Sequence, residues 1–507
     1  MSTPGPTARP ETAPHAAAPH TARHHEGLAE LADLALAEVV RLGVDYADVR
    51  SRREEGESID VRGQAVEGVS RSSSAGVGLR VRRDGAWGFA ATSSADPDDV
   101  RRAAETAVEI ARASAKVQRA DRADLDDSAP VIGSWITPHE LDPLDVPLQD
   151  RSAHLLEATS AAADAADLSW VEATTDAWRT GSAFRSSEGA RIDQLVIQVG
   201  AGLAAYAVGG GEVQRRSCPT SFRGQFETGG WEEILALDLV GGAPQTAREA
   251  VALLTAPDLP YREDEVLILG SSQLALQVHE SIGHAVELDR ILGSEAAYAG
   301  TSWVQVADLG RLRYGSPLVT VTADATTPHA MGSFGWDDEG VAAHRSPIIT
   351  DGVLTGFLTD RVHAAAIGQR SNGTSRADSW GALPLIRMNN VSLQPKEGDL
   401  ASIVADTPSG VLMQTNRSWS IDDRRLNFQF GCEAAYDVRH GRIGQLYRNA
   451  SYAGRTPDFW GSCDALGGPG DWQVWGIPNC GKGQPAQVSR VAHGAATGRF
   501  RATVGVR

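Results

Sequence analysis

Cysteines are scarce in this 507-residue sequence, and long apolar runs are missing from it. The four cysteines lie far apart and without regular spacing, at positions 218, 432, 463 and 480. Such sparse thiols exclude a disulfide framework and favour a reducing compartment, so we expect a cytoplasmic protein. No stretch approaches the ~20 consecutive apolar residues that a membrane helix needs. The sequence therefore predicts no membrane span.

Positive charge is also in short supply. Lysine and arginine number 47 against 65 aspartates and glutamates, which gives a formal net charge of -18. Nucleic acids and anionic membrane surfaces attract basic patches, so neither is an expected partner.

The apolar share of 42% is that of an ordinary soluble globular protein, and 507 residues are too many for one core. We expect two or three domains.

The order of sequence patterns predicts an α+β protein with a disordered tail. Residues 1–25 are rich in Pro, Ala and Thr and lack the apolar segment of a secretion signal, which indicates a disordered tail. Residues 26–235 should form an N-terminal α+β domain. Residues 236–507 should form a second domain that is rich in antiparallel β-strands.

Periodicity places the first elements. Apolar residues at helical spacing predict helices over 26–43 and 148–167, and a proline followed by acidic residues marks the start of a helix over 94–115. Alternating apolar and polar residues on both sides of Asp84-Gly85 predict a hairpin. The stretch "EVLILG" (265–270) predicts a buried strand, followed by a helix that continues to about Leu292.

That helix carries "QVHESIGHAVEL" (277–288), in which His284 follows His279 by five positions. A regular α-helix turns ~100° per residue, so these two side chains would point ~140° apart. They can share a metal ion only where the helix is distorted, and a π-type turn with i→i+5 bonding brings such residues together. Gly283 relaxes the backbone where the distortion is needed.

Two chemical interpretations of the motif follow. In the first, two histidines bind a zinc ion, Glu280 acts as general base toward a water molecule, and a third ligand comes from elsewhere in the chain. In the second, the histidines are structural groups on a partly buried helix, and Glu280 is solvated. The motif alone leaves both open.

A downstream segment gives the motif a context. "HESIGH", followed by "IPNCGKGQPAQVSRVAHGAA" (477–496), resembles the TldD/PmbA family of zinc metalloproteases. The segments 333–368 ("SFGWDDEG…") and 384–399 ("PLIRMNNV…") are similar to further family motifs, so the resemblance covers about 26–500. It implies an N-terminal α/β region, a C-terminal domain rich in antiparallel strands, and membership of the active, TldD branch.

The resemblance also implies the chemistry of the site. His279, His284 and Cys480 match the family's zinc ligands, for one Zn²⁺ per chain, and Glu280 matches its catalytic base. The implied reaction is hydrolysis of unfolded or extended peptides with low sequence specificity. The implied partner is a paralogous TldE/PmbA-like subunit in a heterodimer, with a homodimer as the alternative.

Other residues are weaker candidates. Cys463 is a rival thiol, but Cys480 is the one in the matching C-G-K turn. Asp338 and Glu339 belong to an acidic cluster that would orient a zinc-bound histidine or simply form a solvated turn. Arg387 and Asn389 would line the substrate cleft or make local hydrogen bonds. Four further histidines would act near the metal or be structural: His329, His344, His363 and His493.

Two other functions use the same residues. A zinc amidase that trims a peptide-like metabolite or modified peptide during biosynthesis would need the same site. A peptide-binding regulator without catalysis would not need Glu280, so the presence of that carboxylate beside the ligand candidates disfavours it. The peptidase is the leading hypothesis.

Overall fold

The structure is a computed structural model that describes residues 27–117, 124–483 and 485–506. The predicted disordered tail (1–25) lies outside the described residues. The α-helices within them are α1 (Leu28–Arg41), α2 (Pro97–Val117), α3 (Leu148–Ala165), α4 (Trp231–Ala236), α5 (Leu239–Thr255), α6 (Ser271–Val278), α7 (Leu288–Ile291), α8 (Arg361–Ala366), α9 (Leu400–Ala405) and α10 (Thr456–Gly461).

The first half of the chain builds one large, mainly antiparallel sheet. Its central strands follow the order β3-β2-β1-β5-β6-β4, and β7 and β8 also pair with β6. Among the described pairs of this sheet, only β4–β6 is parallel. The strands are β1 (Tyr46–Arg62), β2 (Ala65–Arg83), β3 (Ala86–Thr92), β4 (Ile132–Ile136), β5 (Trp170–Ser186), β6 (Arg191–Gly209), β7 (Glu212–Cys218) and β8 (Gln225–Thr228).

The second half builds a sheet that closes on itself. Five of its strands pair in the order β16-β9-β23-β19-β17, and pairing between β16 and β17 closes this order into a ring. Two further strands lie outside the ring: β18 pairs with β17, and β20 pairs with β23. The strands are β9 (Arg262–Leu269), β16 (Ser409–Ile421), β17 (Asn427–Arg439), β18 (Arg442–Tyr447), β19 (Ala450–Arg455), β20 (Ala465–Leu466) and β23 (Gly498–Val504).

Smaller strand pairs complete this half. A four-stranded sheet has the order β12-β11-β10-β15, and two hairpins pair β13 with β14 and β21 with β22. The strands are β10 (Val321–Asp324), β11 (Arg345–Thr350), β12 (Val353–Leu354), β13 (Ser375–Arg376), β14 (Leu385–Ile386), β15 (Val391–Leu393), β21 (Gln473–Lys482) and β22 (Gln487–Ala495).

Separate apolar cores hold these layers. Helices α1 and α2 pack on β1 and β2 in one core, and α3, α4 and α5 pack on β5 and β6 in another. The largest core lies in the second half and surrounds α6. Every residue of α6 from Gln273 to Val278 is buried, as expected for a helix enclosed on all sides.

The predicted α+β fold class is confirmed, with antiparallel strands dominating the second half. The predicted helices correspond to α1, α2 and α3, and Asp84 and Gly85 form the β2–β3 turn with positive φ angles of 52° and 75°. The domain boundary near residue 235 stays a prediction. Helix α5, which begins after it, packs on the first sheet.

One element differs from its prediction. The helix that begins at Ser271 does not continue to Leu292, because α6 ends at Val278 and the backbone then changes its hydrogen-bonding pattern. No helix among the described residues combines the length and apolarity needed to cross a membrane. The place where α6 ends is the place where the predicted ligands begin.

Candidate metal centre

A π-helical turn separates the two predicted histidine ligands. It spans His279–Gly283 and is followed by a 3-10 turn over His284–Val286. The His284 N–H donates to the carbonyl oxygen of His279, which is the i→i+5 bond of a π-turn. A Cβ at Gly283 would overlap Met388 Sδ, so the turn packs closely there. The distortion that shared binding requires is therefore present.

The turn brings His279 and His284 together with Cys480 on β21. The ligand atoms of the three side chains lie within 4.8 Å of one another, and all three residues are buried. His284 Nε2 lies 3.6 Å from Cys480 Sγ. The two imidazole rings are 4.9 Å apart between centroids and almost perpendicular, at 87°. This is a compact group of two nitrogens and one sulfur.

These distances fit a tetrahedral zinc ion. With bonds of ~2.3 Å to a thiolate sulfur and ~2.1 Å to an imidazole nitrogen, zinc holds those two atoms about 3.6 Å apart. That is the separation of Cys480 Sγ and His284 Nε2. Two nitrogens and one sulfur are also a donor set that zinc favours, and three protein ligands leave a fourth position open.

Glu287 sets the tautomer of His284. Its Oε2 lies 2.9 Å from His284 Nδ1, and its side chain is fully buried. A carboxylate accepts, so Nδ1 carries the proton and Nε2 keeps its lone pair toward Cys480. Outer-shell carboxylates of this kind orient histidine ligands in metal sites. Glu287 follows His284 by three positions, a spacing that is visible in the sequence, but Glu287 was not among the predicted site residues.

His493 on β22 does the same for His279. His493 Nδ1 lies 2.8 Å from the carbonyl oxygen of Val391, so this nitrogen is the donor. His493 Nε2 is then an acceptor, and it lies 2.7 Å from His279 Nδ1. His279 Nδ1 therefore carries the proton, which leaves Nε2 free to bind a metal. The sequence offered His493 only as one of four undistinguished histidines.

Burial and charge together lower the pKa values of all three candidate ligands. Burial is the main cause that lowers the pKa of His279 and of His284, the latter well below its usual value. The positive charge of Arg425 lowers both further. Burial alone would raise the pKa of the Cys480 thiol, but opposing charge, that of Arg387 foremost, outweighs it and lowers that pKa. Neutral imidazoles and a thiolate are the forms that bind metal.

Arg387 supports the hairpin that carries Cys480. Its guanidinium donates to the carbonyl oxygens of Cys480 and of Gln487 on the opposite strand, the latter at 3.1 Å. The side chain is almost fully buried. The structure thus places the predicted cleft residue Arg387 behind Cys480, where its charge reaches the sulfur.

Lys482, two residues after Cys480, joins the same hairpin to the motif segment. Its fully buried ammonium lies 2.7 Å from Asp289 Oδ1 and 3.4 Å from Glu287 Oε1, and it donates to the carbonyl oxygen of Ile386 at 2.6 Å. Burial would lower the pKa of Lys482, but Asp289 and Glu287 outweigh it and raise that pKa. An ionic contact therefore connects the segments that carry His284 and Cys480.

Glu280, the predicted base, follows His279 directly in the sequence, and its side chain contacts Arg425. Arg425 Nη1 donates to Glu280 Oε2 at 2.9 Å. The Glu280 side chain is largely buried, with 8% of its surface exposed. Arg425 lies 145 positions downstream in a turn, and nothing in the sequence connected it to the motif.

The remaining candidates lie elsewhere. Glu339 pairs with Arg80 of the first sheet at 2.7 Å, and Asp338 accepts from the Ala377 N–H at 2.7 Å. The carboxylate that contacts a predicted ligand is instead Glu287. Asn389 is completely buried, and neither of its side-chain amide atoms has a hydrogen-bond partner among the described residues.

A second group of ligand-type atoms involves Glu227, Glu233 and His329, again within 4.8 Å of one another. His329 Nδ1 lies 2.8 Å from Glu233 Oε1, and half of the His329 side chain is exposed. Burial and the neighbouring Glu233 raise the pKa of Glu227 to about 8. This group lacks a thiol and is more open than the first.

Comparison with known proteins agrees with the geometry. A family model described as the PmbA/TldA metallopeptidase C-terminal domain matches residues 266–492, and a model for domain 1 of the same family matches residues 47–111. Together they cover more than half of the chain. The C-terminal match contains His279, His284 and Cys480.

Two relatives align with most of the chain, and a third aligns with part of it. A metalloprotease of Methanothermobacter thermautotrophicus is 28% identical over 88% of this chain and 92% of its own. A metalloprotease TldD homolog of Haemophilus influenzae is 24% identical over 88% and 90%. A protein of Saccharolobus solfataricus, called a zinc metalloprotease TldD homolog, is 28% identical over 39% and 42%.

Solved structures share the fold. A putative modulator of DNA gyrase from Thermotoga maritima superposes with a TM-score of 0.74 at 16% identity, covering 94% of this chain and 99% of that one. TldE from Thermococcus kodakarensis gives a TM-score of 0.67 at 17% identity, covering 93% and 99%. On the family models and the relatives, the chain belongs to the PmbA/TldD family of metallopeptidases.

Proposed function

We propose that this metallopeptidase is a zinc enzyme of the TldD branch, with His279, His284 and Cys480 as ligands and Glu280 as general base. The observation that carries the proposal is the buried group of two imidazole nitrogens and one thiol sulfur, with the buried Glu280 next to His279 in the sequence. The name of the Saccharolobus solfataricus relative, a zinc metalloprotease, supports the choice of metal.

A bound zinc ion would supply Lewis acidity, which lowers the pKa of water and polarises a carbonyl group. The residues of the chain do the remaining work. Glu280 takes a proton from the water molecule whose oxygen attacks the scissile carbonyl carbon. When the C–N bond breaks, its electron pair goes to the amine nitrogen, and Glu280 passes the proton to that nitrogen. The products are one carboxylate and one amine.

We propose extended, unfolded peptides as substrates. The site supports this because its predicted ligands are buried, with 3–4% of each residue exposed, so a bulky folded surface cannot approach them. An extended chain held by its backbone pairs as an added strand, and such pairing gives little sequence selectivity. Low sequence specificity follows from that mode of binding.

We further propose a TldE-like paralogous subunit as the partner and the cytoplasm as the location. The fold similarity to TldE of Thermococcus kodakarensis supports a pair of related subunits with one architecture. All four cysteines are unpaired, which suits a reducing compartment. Co-expression of this chain with a TldE-like subunit, followed by sedimentation of the purified complex, tests the partnership. A complex that contains two copies of this chain alone would replace the heterodimer by a homodimer.

Metal content of purified variants tests the assignment. We expect one zinc per wild-type chain, lost in Cys480→Ser and kept in Cys463→Ser. Cys463 is a matched control because it is also buried, yet it lies outside the ligand group and burial raises its pKa to about 12. His329→Gln controls for the second group.

Activity on an unfolded protein such as reduced, alkylated casein tests the chemistry. Glu280→Gln should keep zinc and lose hydrolysis by at least ~10²-fold, since it removes the general base. A folded wild type without stoichiometric zinc would refute the proposal. Full activity of Glu280→Gln would leave the metal assignment standing and refute the mechanism.

A further inference from the structure

Arg425 lies in a turn that the surrounding residues hold in place. The turn joins β16 to β17, and the Asp422 carboxylate accepts hydrogen bonds from the backbone N–H groups of Arg424, Leu426 and Asn427. The Arg425 carbonyl oxygen accepts from Thr456 Oγ1 at 2.8 Å. The φ angle of Arg425 is 61°, in the left-handed region that non-glycine residues seldom adopt. The turn therefore fixes the direction of the arginine.

The guanidinium meets Glu280 through one of its nitrogens. Arg425 Nη1 lies 2.9 Å from Glu280 Oε2, and the two side chains are 16% and 8% exposed. An arginine that serves only to neutralise a carboxylate commonly forms two parallel hydrogen bonds to it. Here Arg425 Nε is buried without a hydrogen-bond partner among the described residues. An unsatisfied donor thus lies beside the proposed base.

The reaction expected at Glu280 gives the Arg425 guanidinium a second possible acceptor, the oxygen of the scissile carbonyl group. A general base must come within hydrogen-bond reach of the water that attacks the carbonyl carbon. Reacting atoms lie about 3–3.5 Å apart before reaction, so the carbonyl oxygen is near the base as well. Negative charge develops on that oxygen as the water adds. Donors already aimed at such an oxygen stabilise the transition state without reorganising.

We propose that Arg425 is a further catalytic residue, which holds Glu280 through Nη1 and donates its remaining N–H groups to the oxygen of the scissile carbonyl. The inference rests on the proposed function of the metal centre. In the reaction, the C=O π pair moves onto the oxygen as the water oxygen bonds to carbon, and the arginine hydrogen bonds stabilise that charge. When the π bond re-forms, the C–N bond breaks and the charge leaves the oxygen.

Arg425→Gln and Arg424→Gln form a matched pair. Arg424 is the exposed neighbour in the same turn, and its carbonyl oxygen accepts from the Trp303 N–H. We expect kcat/KM on a fluorogenic peptide to fall ~10²–10³-fold in Arg425→Gln, the loss measured when one oxyanion donor is removed. Arg424→Gln should stay within twofold of the wild type. Both variants should keep one zinc per chain.

A second readout separates catalysis from structure. A phosphinic pseudopeptide mimics the tetrahedral, negatively charged oxygen, so its affinity for Arg425→Gln should fall by the same factor by calorimetry. Guanidinium ion should restore part of the activity of Arg425→Ala, since it replaces the missing group. A merely structural arginine would show neither effect.

Each outcome decides the inference. Unchanged phosphinate affinity, or higher activity in Arg425→Gln, would overturn it, because the arginine would then only restrain Glu280. Loss of zinc or of cooperative unfolding in that variant, without guanidinium rescue of Arg425→Ala, would also overturn it. A wild type that binds zinc and hydrolyses peptides in those cases leaves the proposed function intact. A wild type that does neither overturns both.

Discussion

At the scale of single residues, the candidate centre includes groups that contact the predicted ligands and lie outside the ligand group itself. Glu287 and His493 fix which nitrogen of each predicted ligand carries a proton, through contacts of 2.9 and 2.7 Å. The motif indicated His279, Glu280 and His284 directly. Glu287 and His493, which orient the two histidines, lie just after His284 and on a distant strand. The spacing of residues within the motif could not predict either contact.

The first prediction concerns Glu287. Glu287→Gln should weaken zinc binding by ~10–100-fold, because the amide orients His284 less strongly than the carboxylate does. Competition with a chromophoric chelator measures the dissociation constant. Glu397→Gln is the control, since Glu397 is an exposed residue. Equal affinity in Glu287→Gln and wild type would show that the carboxylate has no role in binding.

The second prediction concerns pH and Glu227. Burial and Glu233 raise its pKa to about 8, so between about pH 4.5 and pH 8 the folded protein holds a proton that the unfolded chain has released. The stabilisation is therefore fully present below pH 4.5 and is lost as pH rises through 8. Glu227→Gln should flatten this decline in metal-free protein.

Urea unfolding of the metal-free protein at pH 5.5 and pH 8 checks this expectation. The difference in midpoint between the two pH values should be smaller in Glu227→Gln than in wild type. Glu263→Gln, at an exposed glutamate, should keep the wild-type difference. An unaltered difference in Glu227→Gln would show that Glu227 is ionised in the folded protein at pH 5.5.

At the scale of elements, the break in the motif helix is the decisive feature. The π-turn over His279–Gly283 brings two histidines that are five positions apart into one group of candidate ligands. Five-residue spacing around Gly283 pointed to this irregularity, and the structure has it. The sequence did not predict that the helix would end there, because Leu288 and Ile291 continue an apolar pattern. The close packing of Met388 on Gly283 is a tertiary contact that local periodicity does not contain.

The third prediction tests that contact. Gly283→Ala should lower the free energy of unfolding by about 1–3 kcal/mol and reduce zinc content, because the new methyl group overlaps Met388 Sδ. Chemical denaturation and metal analysis measure both effects. Adding Met388→Ala should recover zinc by making room, although it leaves a cavity of its own.

Gly461→Ala serves as the control for Gly283→Ala. Gly461 also lies at a helical position, and a Cβ there would meet nothing within 4 Å. It should be neutral or slightly stabilising, since alanine favours a helix over glycine. Normal zinc content in Gly283→Ala would mean that the π-turn tolerates the methyl group.

At the scale of the whole molecule, ion pairs join the first sheet to the second half of the chain. Arg80 on β2 bonds to Asp48 on β1 and to Glu339, which lies between β10 and β11. The acidic segment was a candidate for orienting the metal ligands, but its contacts serve this junction. Sequence patterns within each half predicted the α+β class. Such local patterns could not predict the contact between Arg80 and Glu339, which are 259 positions apart.

The fourth prediction concerns this junction. Arg80→Met should lower the free energy of unfolding by ~3–5 kcal/mol, because it leaves two buried carboxylates without their cation. Arg82→Met, two residues along the same strand, should cost under ~1 kcal/mol, since its partner Asp124 is exposed. Urea unfolding compares them. Equal losses would mean that the Arg80 pairs are no stronger than a surface contact.

The closed ring of strands has a consequence for the timing of activity during synthesis. Strand β23 pairs with β9, which runs directly into α6 and the histidine motif, and the β21–β22 hairpin supplies both Cys480 and His493. While a ribosome is still making the residues before β21, the histidines exist without their thiol and without the strand that closes the ring. If His279, His284 and Cys480 bind the metal as proposed, a growing chain carries no assembled centre with which to cut its neighbours on the same polysome. The proposed centre is complete only when the final strands dock.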